Sequence, residues 1–113
     1  MSEFKRDIGF YENHFKYFYF KQSLAVRKKI DWTLLVLRNS RVVPDKFLKH
    51  LINTDGIWEV RITAGNGIFR IFCFFDEGNL IILLSGFQKK TQKTPKKEIE
   101  KAERLKKEYY DGK

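Results

Sequence analysis

The sequence predicts an α+β fold, a small antiparallel sheet with helices packed on it. Three observations carry this reading. Three strand-like stretches between Ile57 and Phe87 are joined by turn-forming clusters. An amphipathic segment follows Ser23, and another opens at Thr94-Pro95. The expected order is β-α-α-β-β-β-α, with the N-terminal helices on the sheet, a C-terminal helix, and a single domain spanning residues 1–113.

Residues Lys5 to Tyr11 read as the first strand, with Ile8 and Phe10 on one face. The next segment, NHFKYFYFKQ, is rich in aromatics that favour strands. Yet Tyr11, Phe15 and Phe18 follow helical spacing, so a short helix is expected. Ser23 is a suitable N-cap. Val26, Ile30, Leu34 and Leu37 then form one apolar stripe, with Arg27, Lys28, Lys29 and Asp31 off it. That is a helix of about four turns, ending near Asn39-Ser40. Pro44-Asp45 is expected to start a brief helical turn through Ile52, with Asp45 as cap and Phe47, Leu48 and Leu51 facing in. Asn53 to Gly56 is a turn.

Ile57 to Thr63 alternates, with Trp58, Val60 and Ile62 on one face and Glu59 and Arg61 on the other. Ala64 to Gly67 is a hairpin connection. Ile68 to Phe75 is apolar on both faces except for Arg70. After the turn Asp76 to Asn79, Leu80 to Phe87 is apolar throughout, as expected of a strand covered on both sides. Thr94 is expected to cap the last helix with Pro95 as its first residue. Ile99, Ala102, Leu105 or Lys106, and Tyr109 mark its inner face.

The composition excludes several classes. A hydrophobic content of 42% in 113 residues is enough for a core and argues against disorder. No apolar run has the roughly 18–20 residues a bilayer span needs, and MSEFKRDIGF is too charged for a signal peptide. A cytoplasmic protein without membrane attachment is therefore expected. The one cysteine, Cys73, lies in an apolar strand, which predicts a buried thiol. No metal-ligand spacing or cofactor motif is present in the sequence.

The net charge of +9 points to a polyanionic partner. Its placement is more informative than its size. Gln88 to Lys97 holds five lysines and no acid, directly after an apolar strand. A sheet that delivers cations to its rim suits a phosphate backbone, so an RNA-directed function is the leading expectation. The structural alternative for Arg70 is an ion pair, with Glu59 across the hairpin as its partner. Phe69, Phe72, Phe74, Phe75 and Phe87 read as core rather than as stacking platforms.

The runs LKHLINTDGIWEVRI and GIFRIFCFFDEGNLIILLSGFQKKTQKTPKKEIEKAERLKKEY resemble the RelE/HigB-like toxins of bacterial type II toxin–antitoxin pairs, in the phage-related branch. The resemblance covers about Phe47 to Tyr109. Its most specific phrase is GFQKKTQKTPKKEIEKA, Gly86 to Ala102. It implies a RelE-like fold and, in many members, cleavage of mRNA on the ribosome. It also implies a helix-turn-helix antitoxin, and operator DNA bound through the toxin–antitoxin complex.

The resemblance implies site residues as well. Arg70 matches the arginine most characteristic of RelE-like sites, and Arg61 matches a basic position of the family's sheet. Lys89 and Lys90 fall where the family places a cation for the transition-state charge. Glu59 departs from relatives that carry lysine there; it could be a general base or, more simply, orient Arg61 or Arg70. Lys46, Lys49, Lys93, Lys96 and Lys97 are candidate RNA-backbone contacts. His14 and His50 read as surface or packing residues, and Tyr109 as core; neither Tyr109 nor Tyr110 aligns securely with the family's C-terminal tyrosine. Two other readings stand beside the nuclease: a ParE-like toxin inhibiting a protein such as DNA gyrase, and an inactive member that binds only antitoxin and DNA.

Overall fold

In the computed structural model, which describes residues 4–113, the chain forms five strands and three helices. They are β1 (Asp7–Phe10), α1 (His14–Phe20), α2 (Leu24–Asn39), β2 (Leu48–His50), β3 (Trp58–Ala64), β4 (Gly67–Phe75), β5 (Leu80–Lys89) and α3 (Lys96–Asp111). The sheet order is β1-β5-β4-β3-β2. The pairs β2–β3, β3–β4 and β4–β5 are antiparallel, whereas β1 runs parallel to β5.

The α+β class and the helix placement hold. The sheet itself is mixed rather than wholly antiparallel. The helical α1 and α2 lie between β1 and the rest of the sheet, and such a crossover lets β1 run parallel to β5. A second correction concerns Pro44 to Ile52. One turn forms, with Phe47 N and Leu48 N donating to Pro44 O at 2.9 and 3.2 Å. The chain then becomes β2, because the outer edge of β3 offers it a ladder: Leu48 pairs with Val60 and His50 with Trp58. Pairing with a neighbouring strand outweighs a local helical preference.

The helix termini are partly as expected. Ser23 Oγ accepts a hydrogen bond from Val26 N at 3.3 Å and caps α2. At α3 the N-cap is Pro95, not Thr94, and no side chain caps it; Pro95 O accepts from Glu98 N at 3.1 Å instead. Tyr11 lies outside α1. Glu12 takes a left-handed φ of 54°, which separates Tyr11 from the helix. Tyr11 packs edge-on against Tyr109, 5.9 Å away, while Phe15 and Phe18 enter the core. The hairpin between β3 and β4 turns on Gly65-Asn66, with Gly65 at φ 58°.

Both faces of the sheet are covered, which explains why β4 and β5 are apolar on both sides. On one face α1 and α2 bring Phe15, Phe18, Ile30 and Leu37 against Val60, Ile62, Ile71 and Leu83. On the other, α3 brings Ala102 and Leu105 against Phe72, Phe74, Leu84 and Phe87. Cys73 is fully buried, and burial pushes its thiol up to about 12, so it stays protonated. No helix among the described residues is long and apolar enough to cross a membrane.

Two contacts anchor the helices. The Phe18 ring of α1 lies directly on Gly86 of β5, in space a Cβ would occupy. The end of α3 is tied to Asp76, just past β4. Asp76 accepts from Lys113 Nζ at 2.7 Å, Tyr109 Oη at 2.7 Å and Tyr110 Oη at 2.9 Å. These bonds, that from Lys113 first, hold its carboxyl at about 2 instead of 3.8.

Gly86→Ala is therefore expected to lower stability by about 1–3 kcal/mol through overpacking, read from the urea midpoint. Unchanged stability would mean that α1 does not sit on Gly86. Because the Asp76 carboxyl is depressed in the folded state, its stabilising contribution is complete above about pH 4 and disappears as pH falls toward 2. Thermal melts between pH 2 and 5 should show Asp76→Asn losing this part of the acid sensitivity. Parallel melting curves for both proteins would contradict it.

Candidate functional site

Alternation along β3 puts Glu59 and Arg61 on the α3 side of the sheet, opposite Val60 and Ile62. The register then extends this face across three strands. Arg61 pairs with Arg70, Arg70 with Phe87, and Ile68 with Lys89. Directly opposed residues share a face. Arg61, Arg70 and Lys89 therefore stand together at the end of the sheet where β4 begins and β5 ends. Lys49 joins the same face through its pairing with Glu59.

Glu59 organises the two arginines. Its side chain is 2% exposed, against 11% for Arg70 and 30% for Arg61. Arg61 Nε donates to Glu59 Oε1 at 2.9 Å. Arg70 Nε faces Glu59 Oε2 at 3.8 Å, an ion pair without a hydrogen bond. Arg70 Nη1 donates to its neighbour's carbonyl, Phe69 O, at 3.1 Å. Burial lowers the Arg70 pKa from its ordinary value; Glu59 opposes this shift and Arg61 adds to it. The glutamate engages Arg61 through Nε, and the Nη atoms of Arg61 make no hydrogen bond among the described residues.

Arg70, Lys89 and Lys90 line an open cleft of about 520 Å³ with Ile68, Thr91 and Gln92. No carboxylate among the described residues is part of its wall. The cleft suits a phosphate: guanidinium and ammonium donors converge on a space accessible to solvent. Thr91 and Gln92 were not candidates from the sequence; they enter because the segment that follows β5 forms part of the cleft wall.

The other candidates are dispersed. Lys46 sits over the Phe47 ring, 5.0 Å from its centroid, and Phe47 packs against Trp32 on the α2 side. Lys93, Lys96 and Lys97 are exposed on the connection to α3 and its first turn, outside the cleft wall. His50 packs against Trp58, 5.1 Å away, on the opposite face from Arg61. Tyr109 and Tyr110 are committed to Asp76. That residue lies six positions along the chain from Arg70, about 20 Å at strand rise. Of the histidines and these tyrosines, none lines the cleft.

A solved structure of an arginine-to-alanine double mutant of the E. coli toxin RelE, in the free state, is similar to this chain with a TM-score of 0.63. The two are 14% identical, and the match covers 90% of this chain and 97% of the other. It shows a shared fold. A search of curated proteins returns no match. The family model for Phage derived protein Gp49-like (DUF891) matches residues 18–107, most of the sequence. The chain thus belongs to the phage-derived Gp49-like family and carries the fold of the RelE-like toxins, in agreement with the resemblance read from its second half.

Proposed function

We propose that this protein is the toxin of a type II toxin–antitoxin pair and acts as a ribosome-dependent mRNA endoribonuclease. The observation that carries the reading is that Arg70, held with Arg61 by the buried Glu59, lines one open cleft together with Lys89 and Lys90. Strand cleavage by the ribose 2′-hydroxyl requires in-line placement and compensation of the charge that builds on the phosphorus oxygens. Arg70 and Arg61 grip the phosphate, and Glu59 fixes their positions. Lys89 or Lys90 stabilises the pentacoordinate state and hands a proton to the departing 5′-oxygen, while the proton of the attacking 2′-hydroxyl passes to solvent water in the open cleft. Lys49 extends the cationic face along the RNA, and the exposed Lys93, Lys96 and Lys97 offer further backbone contacts.

This assignment refines the role of Glu59. A buried carboxylate that accepts from Arg61 and faces Arg70 as an ion pair supports an orienting role rather than collection of a proton. The partners that fit are mRNA on the ribosome and a helix-turn-helix antitoxin, with operator DNA bound through the pair. A gyrase-directed toxin would have no use for converging phosphate ligands.

Arg70→Ala is expected to abolish growth inhibition and to cut the cleavage rate by about 10²–10³, the scale of one lost transition-state donor. Its circular dichroism should match the parent. Primer extension on cellular mRNA after induction should show codon-phased cuts for the parent and none for the variant. Full toxicity of Arg70→Ala, or broken DNA with intact mRNA, would overturn the nuclease and favour a protein target.

A further inference from the structure

A second cavity, of about 390 Å³, opens at the edge of β5 between α1 and α3. We propose that it is a second nucleotide subsite, taking the base and phosphate of a single-stranded ribonucleotide adjacent to the one held at Arg70. This inference rests on the nucleic-acid reading of the first cleft.

The cavity exists because β1 is short. It pairs with β5 only at Leu80 to Leu83, so the strand edge from Ser85 onward has no partner strand on that side. Gly86 keeps this edge low, and Phe18 rests on it. A glycine in a strand interior commonly marks such a close approach. The volume lies within the range of small-ligand pockets, about 300–1,000 Å³.

The lining has the chemistry of a nucleotide. Lys21 from α1 and Lys101 from α3 face it from opposite sides, and His14 adds a further polar group. Neither ammonium forms an ion pair among the described residues. Tyr17 presents a ring that is 66% exposed, and its hydroxyl makes no hydrogen bond there. Cations for the backbone beside an open aromatic ring for the base are the usual pairing in single-strand recognition.

Position links the cavity to the first cleft. Phe87 lines it and is the cross-strand partner of Arg70. The strands that carry the two sites are therefore neighbours in the sheet, about 4.8 Å apart between backbones. An acidic peptide would use the lysines, but it would need neither Tyr17 nor the continuity with Arg70.

The test is fluorescence anisotropy of the full chain with labelled 2′-O-methyl RNA, which cannot be cleaved, in lengths of two and five nucleotides. The five-mer should bind the parent more tightly than the dimer. Lys21→Ala/Lys101→Ala should lose about tenfold on the five-mer and nothing on the dimer. Its plot of log affinity against log salt should be shallower by about 1.4, at about 0.7 per phosphate contact on a single strand. Tyr17→Ala, which removes only an exposed ring, should lose about tenfold on the five-mer with the salt slope unchanged; it carries the test if the lysine pair fails to fold. Parent-like binding of both lengths by Tyr17→Ala and by folded Lys21→Ala/Lys101→Ala would overturn the subsite. So would a loss of poly-glutamate binding in the lysine variant with five-mer binding intact, which would assign the cavity to an acidic protein segment. Arg70-dependent dimer binding with no gain on lengthening would sink this subsite alone. Absence of all RNA binding by the parent would also overturn the subsite, whereas the first reading falls only if codon-phased cuts are absent on the ribosome.

Discussion

Two guanidiniums on directly opposed positions of neighbouring strands repel each other, and here one of them is nearly buried. The Glu59 carboxylate makes that arrangement tenable. It lies between Arg61 and Arg70, bonds one through Nε and faces the other as an ion pair. Removing a single partner from a buried charge cluster typically costs about 3–5 kcal/mol, because the remaining charge is stranded. The cationic face, the cleft beside it and the chemistry proposed for it all depend on this one side chain staying in place.

The layering then decides where the face is open. α1 and α2 cover one side of the sheet, and the core beneath them is apolar. α3 covers only part of the other side, over Phe72, Phe74 and Leu84. It is tethered away from the arginines. Asp76 holds its C-terminal end. Midway, Glu103 Oε2 accepts from Asp55 N at 3.0 Å, and Lys106 Nζ donates to Asp55 O at 2.6 Å. The connection from β5 to α3 runs past the uncovered end and brings Lys90, Thr91 and Gln92 to the cleft.

Much of this was legible in the sequence. Period-two alternation in Trp58 to Thr63 placed Glu59 and Arg61 on one face, and the apolar runs of β4 and β5 implied cover on both sides. The Glu59–Arg70 ion pair was foreseeable from hairpin geometry. What escaped was set by tertiary partners. β2 exists because β3 has a free edge, and β1 runs parallel because two helices intervene. The register that aligns Lys89 with Ile68 depends on an irregularity at Phe72/Cys73 in the β4–β5 pairing, which leaves no mark in composition. The second cavity draws on α1, β5 and α3, whose residues lie far apart in the chain. The bond from Arg6 to Leu37 O in the last turn of α2, at 2.7 Å, and that to Arg41 O just beyond it, at 2.9 Å, were equally invisible for that reason.

Glu59 as an orienting group rather than a proton acceptor is the claim on which the rest turns. The most direct measurement is the pH dependence of single-turnover cleavage of ribosome-bound mRNA by Glu59→Gln. An amide keeps the shape but not the charge. The expected result is a slower enzyme whose pH–rate profile has the parent's form. Disappearance of the parent's acidic limb would show instead that the carboxylate accepts the 2′-hydroxyl proton, and would contradict an orienting role for Glu59.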